Sequence, residues 1–118
     1  MTHAISIEAE ANRVLEAWRP VDLAVANGTV IRLARLDGEF PWHAHDEDEV
    51  FLCWSGAFRI ELEADGATRA RDVEMERGSL FVVPRGTRHR PVADGGPAYA
   101  LLVERPETRQ YGNEEPGT

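Results

Sequence analysis

Turn-forming pairs punctuate this chain about every ten residues after Pro20: Asn27-Gly28, Asp37-Gly38, Ser55-Gly56, Asp65-Gly66, Arg77-Gly78, Pro84-Arg85-Gly86 and Asp94-Gly95-Gly96-Pro97. Between them apolar residues recur with period two, the signature of half-buried strands. The predicted strands are Val21–Ala26, Thr29–Leu36, Phe40–His45, Glu49–Trp54, Ala57–Glu63, Arg69–Met75, Ser79–Val83, Arg88–Ala93 and Ala98–Glu104. Many short strands joined by tight turns imply an all-β sandwich or barrel. The period is 3.6 only before Pro20. Ile7, Ala11, Val14, Leu15 and Trp18 then share one face of a helix over 7–17, with Ser6 as its cap and Pro20 as its stop. The chain thus divides into an N-terminal helical segment (1–20) packing on a barrel (21–106), and a loose C-terminal tail (107–118).

At 118 residues, one core is all the chain can build, and a bound metal or a partner subunit would add stability. The net charge of −8 argues against nucleic acid and against anionic membrane surfaces as partners. No apolar run is long enough to span a bilayer, and the N-terminus lacks a basic start before an apolar stretch, so a cytoplasmic location is expected. All 13 basic residues are arginine, which rules out Schiff-base chemistry on lysine. Cys53 is the only cysteine; it excludes an intrachain disulfide and reads as a buried thiol in Phe51-Leu52-Cys53-Trp54.

Chemistry concentrates in the histidines. His43 and His45 are two apart on a predicted strand, so both side chains leave one face. Glu49 follows across the acidic link Asp46-Glu47-Asp48, and His89 comes just after Pro84-Arg85-Gly86. Imidazole with carboxylate suits borderline divalent metals such as Mn, Fe, Co, Ni or Zn. Glu47 and Asp48 are competing carboxylates, and His3 reads as a free terminal residue.

The full pattern is more specific than the pair: Gly38-x4-His43-x-His45-x3-Glu49-x6-Gly56, then Gly78-x5-Pro84-x-Gly86-x2-His89. It resembles the two motifs of the cupin superfamily across nearly all of 21–105. Trp18-Arg19-Pro20, Gly38-Glu39-Phe40-Pro41-Trp42-His43-Ala44-His45 and Val83-Pro84-Arg85-Gly86-Thr87-Arg88-His89-Arg90-Pro91-Val92 resemble the small single-domain, mannose-6-phosphate isomerase-like members. The resemblance implies a single jelly-roll β-barrel with one divalent metal ion inside its mouth, held by His43, His45, Glu49 and His89. Two departures stand out. The Gly38–His43 spacing is one residue short, which reshapes a turn, and Ala93 replaces a frequent non-ligand Asn.

Alternation from Glu49 turns Phe51 and Cys53 inward, whereas Trp42 has the opposite parity and should pack against a neighbouring element. Arg85, Arg88 and Arg90 read as solvated turn residues, with an anionic substrate as their alternative role. Four protein ligands on a six-coordinate metal leave about two positions for water, oxygen or a substrate, as a catalytic site requires. Three functions are compatible with this pattern: a metal-dependent oxygenase or isomerase acting on a small oxygenated molecule, a non-catalytic small-ligand or sensor module, and a metal-free interaction barrel. A homodimer is expected, because an open barrel leaves edge strands to cover.

Overall fold

The computed structural model describes residues 3–66 and 69–113. Its elements are α1 (Ile7–Arg13), β1 (Val21–Ala26), β2 (Thr29–Glu39), β3 (Glu49–Ser55), β4 (Ala57–Leu62), β5 (Arg71–Glu76), β6 (Leu80–Val83) and β7 (His89–Glu104). All strand pairs are antiparallel, in the order β1-β2-β7-β3-β6, and β4 joins β5 to β7. The long β7 organises the barrel. Its first residues pair with β4, and its later ones lie between β2 and β3.

Alternation along β2 and β7 separates two cores. Ala34, Leu36, Ala100 and Leu102 point into the barrel with Phe51, Cys53, Phe58, Ile60, Leu62, Met75 and Val83. The opposite parity turns Leu33 and its register partner Leu101 outward, where Ala11 and Val14 of the N-terminal segment cover them. Removing that apolar area from water is what holds the short helix on the sheet. Ser6 caps it, accepting from the Ala9 N–H at 3.2 Å.

Three local expectations are corrected. The helix stops at Arg13 instead of continuing to 17, and Leu15 is 77% exposed. Trp18 is withdrawn from the helical face: it adopts φ 61, its amide donates to Arg35 O and its indole Nε1 to Asp37 O at 2.9 Å. Hydrogen bonds to the β2 main chain override a weak local propensity. Second, Phe40–His45 is not a strand; only His43 forms a bridge, opposite His89. Pro41 lacks the donor that a ladder would need.

The third correction concerns Asp94–Pro97, which does not separate two strands. Leu36 pairs with Ala98 and Gly38 with Ala93, so these residues bulge opposite Asp37 while β7 runs on. Elsewhere the predicted strands hold to within a few residues at their ends. Ala67, Thr68 and residues 114–118 lie outside the described residues. No helix among the described residues is long and apolar enough to cross a membrane.

Candidate metal centre

His43 and His89 meet because the chain makes a two-way bridge at their main chains. The His43 N–H donates to His89 O at 3.0 Å, and the His89 N–H returns to His43 O at 2.8 Å. His45 follows on the same side, its carbonyl held by the Gly86 N–H at 2.8 Å. Glu49 is the first residue of β3, opposite Val83 of β6. These contacts bring together residues far apart in the chain. The ligand-type atoms of His43, His45, Glu49 and His89 all lie within 4.8 Å of one another, and all four residues are buried. Glu47 and Asp48 are outside the group.

The donor chemistry fits a cation. His43 Nδ1 sits 2.9 Å from Pro41 O and His89 Nδ1 2.8 Å from Thr87 O. A carbonyl can only accept, so each Nδ1 carries the proton and each Nε2 keeps its lone pair. Among the described residues, His89 Nε2 and a ring nitrogen of His45 are buried without a hydrogen-bond partner, while the Gln110 carbonyl faces the His45 ring. Buried polar atoms without partners are costly, and a cation at their focus would satisfy them. Burial lowers the His43 pKa to about 3, assisted by neighbouring His89 and opposed by the Pro41 carbonyl. It also lowers His45 and His89, and raises Glu49. Neutral imidazoles are the form that binds metal.

A cavity of about 290 Å³ opens beside the centre. His43 and Glu49 line one part of it; Leu36, Phe40, Phe51 and Leu102 form apolar wall, and Arg32, Glu104 and Thr108 supply polar groups. Glu104 and Arg32 are functional candidates absent from the two motifs. Glu104 accepts from Arg32 Nη1 at 2.7 Å, and burial together with the Glu49 carboxylate beside it pushes its pKa up to about 8, against the pull of Arg32. A signal for both was present in the alternation: Arg32 is in phase with inward Ala34 and Leu36, and Glu104 with inward Leu102.

Trp42 packs as its parity implied, with the Arg90 guanidinium over its ring at 5.0 Å. Arg90 also pairs with Glu61 and Glu39, and Arg88 pairs with Glu63, so neither stands open to an anionic substrate. His3 is exposed and lies outside the centre.

Residues 107–113, expected to be loose, instead strap the barrel mouth. Gln110 Nε2 donates to Trp18 O, and Tyr111 stacks on Phe40 with ring centroids 4.9 Å apart. The Asn113 N–H donates to Ala44 O, and its side-chain Oδ1 accepts from the Asp46 N–H. Gly112 makes the closest approach. At φ 86, an added Cβ would lie 2.6 Å from Ala44 O and 2.9 Å from His43 Cβ. Gly112→Ala should therefore destabilise by about 1–3 kcal/mol and loosen the strap. Gly66→Ala has positive φ but open space around it, and should cost less. Urea denaturation of both variants checks this; equal losses would mean that the close approach carries no energy.

Comparison with known proteins agrees with the geometry. The chain is 31% identical over 91 residues to the uncharacterized protein YdbB of Bacillus subtilis, covering 76% of each. A cupin-2 domain containing protein from Shewanella frigidimarina is 26% identical with a TM-score of 0.77, covering 86% of this chain and 93% of that one. Hydroquinone 1,2-dioxygenase from Sphingomonas sp., solved with 4-hydroxybenzoate bound, shares the fold at 19% identity and a TM-score of 0.77, over 87% of this chain and 32% of that one. The cupin domain family matches residues 30–104, from β2 to the end of β7. With a jelly-roll barrel that buries three histidines and a glutamate at the two family motifs, this chain belongs to the cupins.

Proposed function

We propose that His43, His45, Glu49 and His89 hold one divalent ion among Mn, Fe, Co, Ni and Zn, and that the protein is a metal-dependent enzyme of oxygenase or isomerase type. Its substrate would be a small oxygenated organic molecule. The observation that carries this reading is the buried cluster of four donors, all within 4.8 Å, on the wall of a cavity large enough for such a molecule. When bound, the metal supplies Lewis acidity, or dioxygen chemistry if it is iron. The chain's own part is to hold its imidazoles neutral by burial, to fix their tautomer through the Pro41 and Thr87 carbonyls, and to shield the site with Phe40, Phe51 and Leu102. A likeness to the Sphingomonas dioxygenase supports the oxygenase branch at the level of fold.

Elemental analysis of protein purified without an affinity tag should find close to one metal per chain. Oxygen uptake by the iron-loaded protein against diketones, thiols and phenolic acids then tests turnover. Metal without turnover on any substrate would make the protein a small-ligand holder, and absence of metal under loading would overturn the centre itself.

We also propose a homodimer. Apolar side chains remain open at both ends of the sheet: Val21 and Val25 on β1, Leu80 and Val82 on β6. Pairing of such edges covers them. Sedimentation at micromolar concentration should give twice the chain mass, and a monomer there would refute the assembly.

A further inference from the structure

Two of the three clustered imidazoles take their outer partner from the chain just before them. His43 Nδ1 faces the carbonyl of Pro41 and His89 Nδ1 that of Thr87, each two residues earlier. The equivalent carbonyl for His45 is that of His43, and the His89 N–H already holds it at 2.8 Å. The His45 ring is faced instead by the Gln110 carbonyl, from the C-terminal strap. The same strap grips the chain on both sides of His45. The Asn113 N–H donates to Ala44 O at 2.9 Å, and Asn113 Oδ1 accepts from the Asp46 N–H at 3.0 Å. Gly112 fits against Ala44 and His43 with no room for a Cβ. Further anchors are Gln110 Nε2, donating to Trp18 O, and the Tyr111 ring, stacked on Phe40. All of these strap residues lie beyond the family match, which ends at 104.

We infer that the strap is part of the metal centre, with Gln110 as a positioning residue whose main-chain carbonyl orients the His45 ring as Pro41 and Thr87 orient the other two. This deepens the proposed function and rests on the same four donors. A carbonyl facing an imidazole accepts the proton of one ring nitrogen and leaves the lone pair of the other for a metal. A docked strap therefore favours occupancy, and occupancy favours docking by the same factor. The anchors matter because a C-terminal segment frays unless it is tied down, and the carbonyl would leave with it.

The test titrates zinc(II) into the metal-free full chain in competition with a chromophoric chelator. Tyr111→Ala/Asn113→Ala removes the stacked ring and the acceptor for Asp46, yet changes no donor side chain and neither residue lines the cavity. It should bind zinc about tenfold more weakly, the low end of the range for losing an outer partner. Tyr111→Phe keeps the ring and should match the wild type. Val14→Ala, which loosens the N-terminal helix on the outer face of the sheet, should also bind zinc normally. Hydrogen exchange on the unmutated chain adds a readout that packing alone would not move. The Gly112 and Asn113 amides, bonded to Arg109 O and Ala44 O, should exchange severalfold more slowly with zinc bound. Wild-type affinity in a folded double variant, or zinc-independent exchange at these amides, would overturn the inference and leave the metal centre standing. Equal weakening in Val14→Ala would overturn it too, by tracing the loss to general stability. Failure of the wild-type chain to take up zinc would sink the metal reading and this inference with it.

Discussion

His89→Ala protein should emerge from desalting with less than about a tenth of the metal retained by the wild type. Loss of a partner that only orients a ligand already costs about 10–100-fold in affinity, so loss of a ligand should cost at least the upper figure. His89 is chosen because it is 0% exposed and its Nε2 lies 3.6 Å from Glu49 Oε1 without a hydrogen-bond partner. His45→Ala should behave alike, whereas His3→Ala, at an exposed position, should keep the metal. Stability gives a second readout. A metal at a hundred times its Kd stabilises by about 2.7 kcal/mol, so wild-type melting should rise on loading and the His89→Ala midpoint should not. Circular dichroism separates metal loss from failure to fold. Full occupancy in a folded His89→Ala protein would refute the ligand assignment.

Metal-free protein should lose stability as pH falls below about 4.5, and again as pH rises from 6.5 towards 8. His43 ionises with a pKa near 6.5 when unfolded and about 3 when folded, so the unfolded chain binds more protons between those values. Its contribution is complete above pH 6.5 and is lost as pH falls towards 3, amounting to roughly 3–5 kcal/mol from this group. His45 and His89 are lowered as well and act in the same direction. The carboxyls work oppositely. Glu104 rises from 4.5 to about 8, and Glu49 is also raised. The folded state then holds the extra protons, so their contribution is present below 4.5 and fades as pH rises to 8. Between 4.5 and 6.5 His43 and Glu104 oppose one another; below 4.5 the imidazole alone continues to lose stability, and above 6.5 Glu104 is left to titrate and stability declines towards pH 8. Urea titrations from pH 3 to 9 measure the curve. A profile without an acid-side loss would show that the imidazoles are not buried neutral.

The four donors were legible because the two motifs compress them into 43–49 and 89, and a strand's two-residue repeat sends His43 and His45 the same way even without a ladder. Ser6, the inward turn of Phe51 and Cys53, and the packing role of Trp42 were legible for equally local reasons. What escaped depends on contacts between distant segments. Arg32 and Glu104 meet across the β2–β7 pairing, 72 residues apart, and neither belongs to a turn or a motif. Gly112 carries no local signal, since its constraint comes from Ala44 and His43. Trp18 left its helix for main-chain partners on β2 that only the folded sheet supplies.

The long final strand has a consequence for biosynthesis. Because β2, β3 and β4 all find partners in residues 89–104, each waits with an open flank until that segment has left the ribosome. Folding is then late and dominated by distant contacts, which makes it slow and leaves nascent chains prone to mispair with one another. A premature stop before residue 89 would yield an aggregate and no smaller working unit.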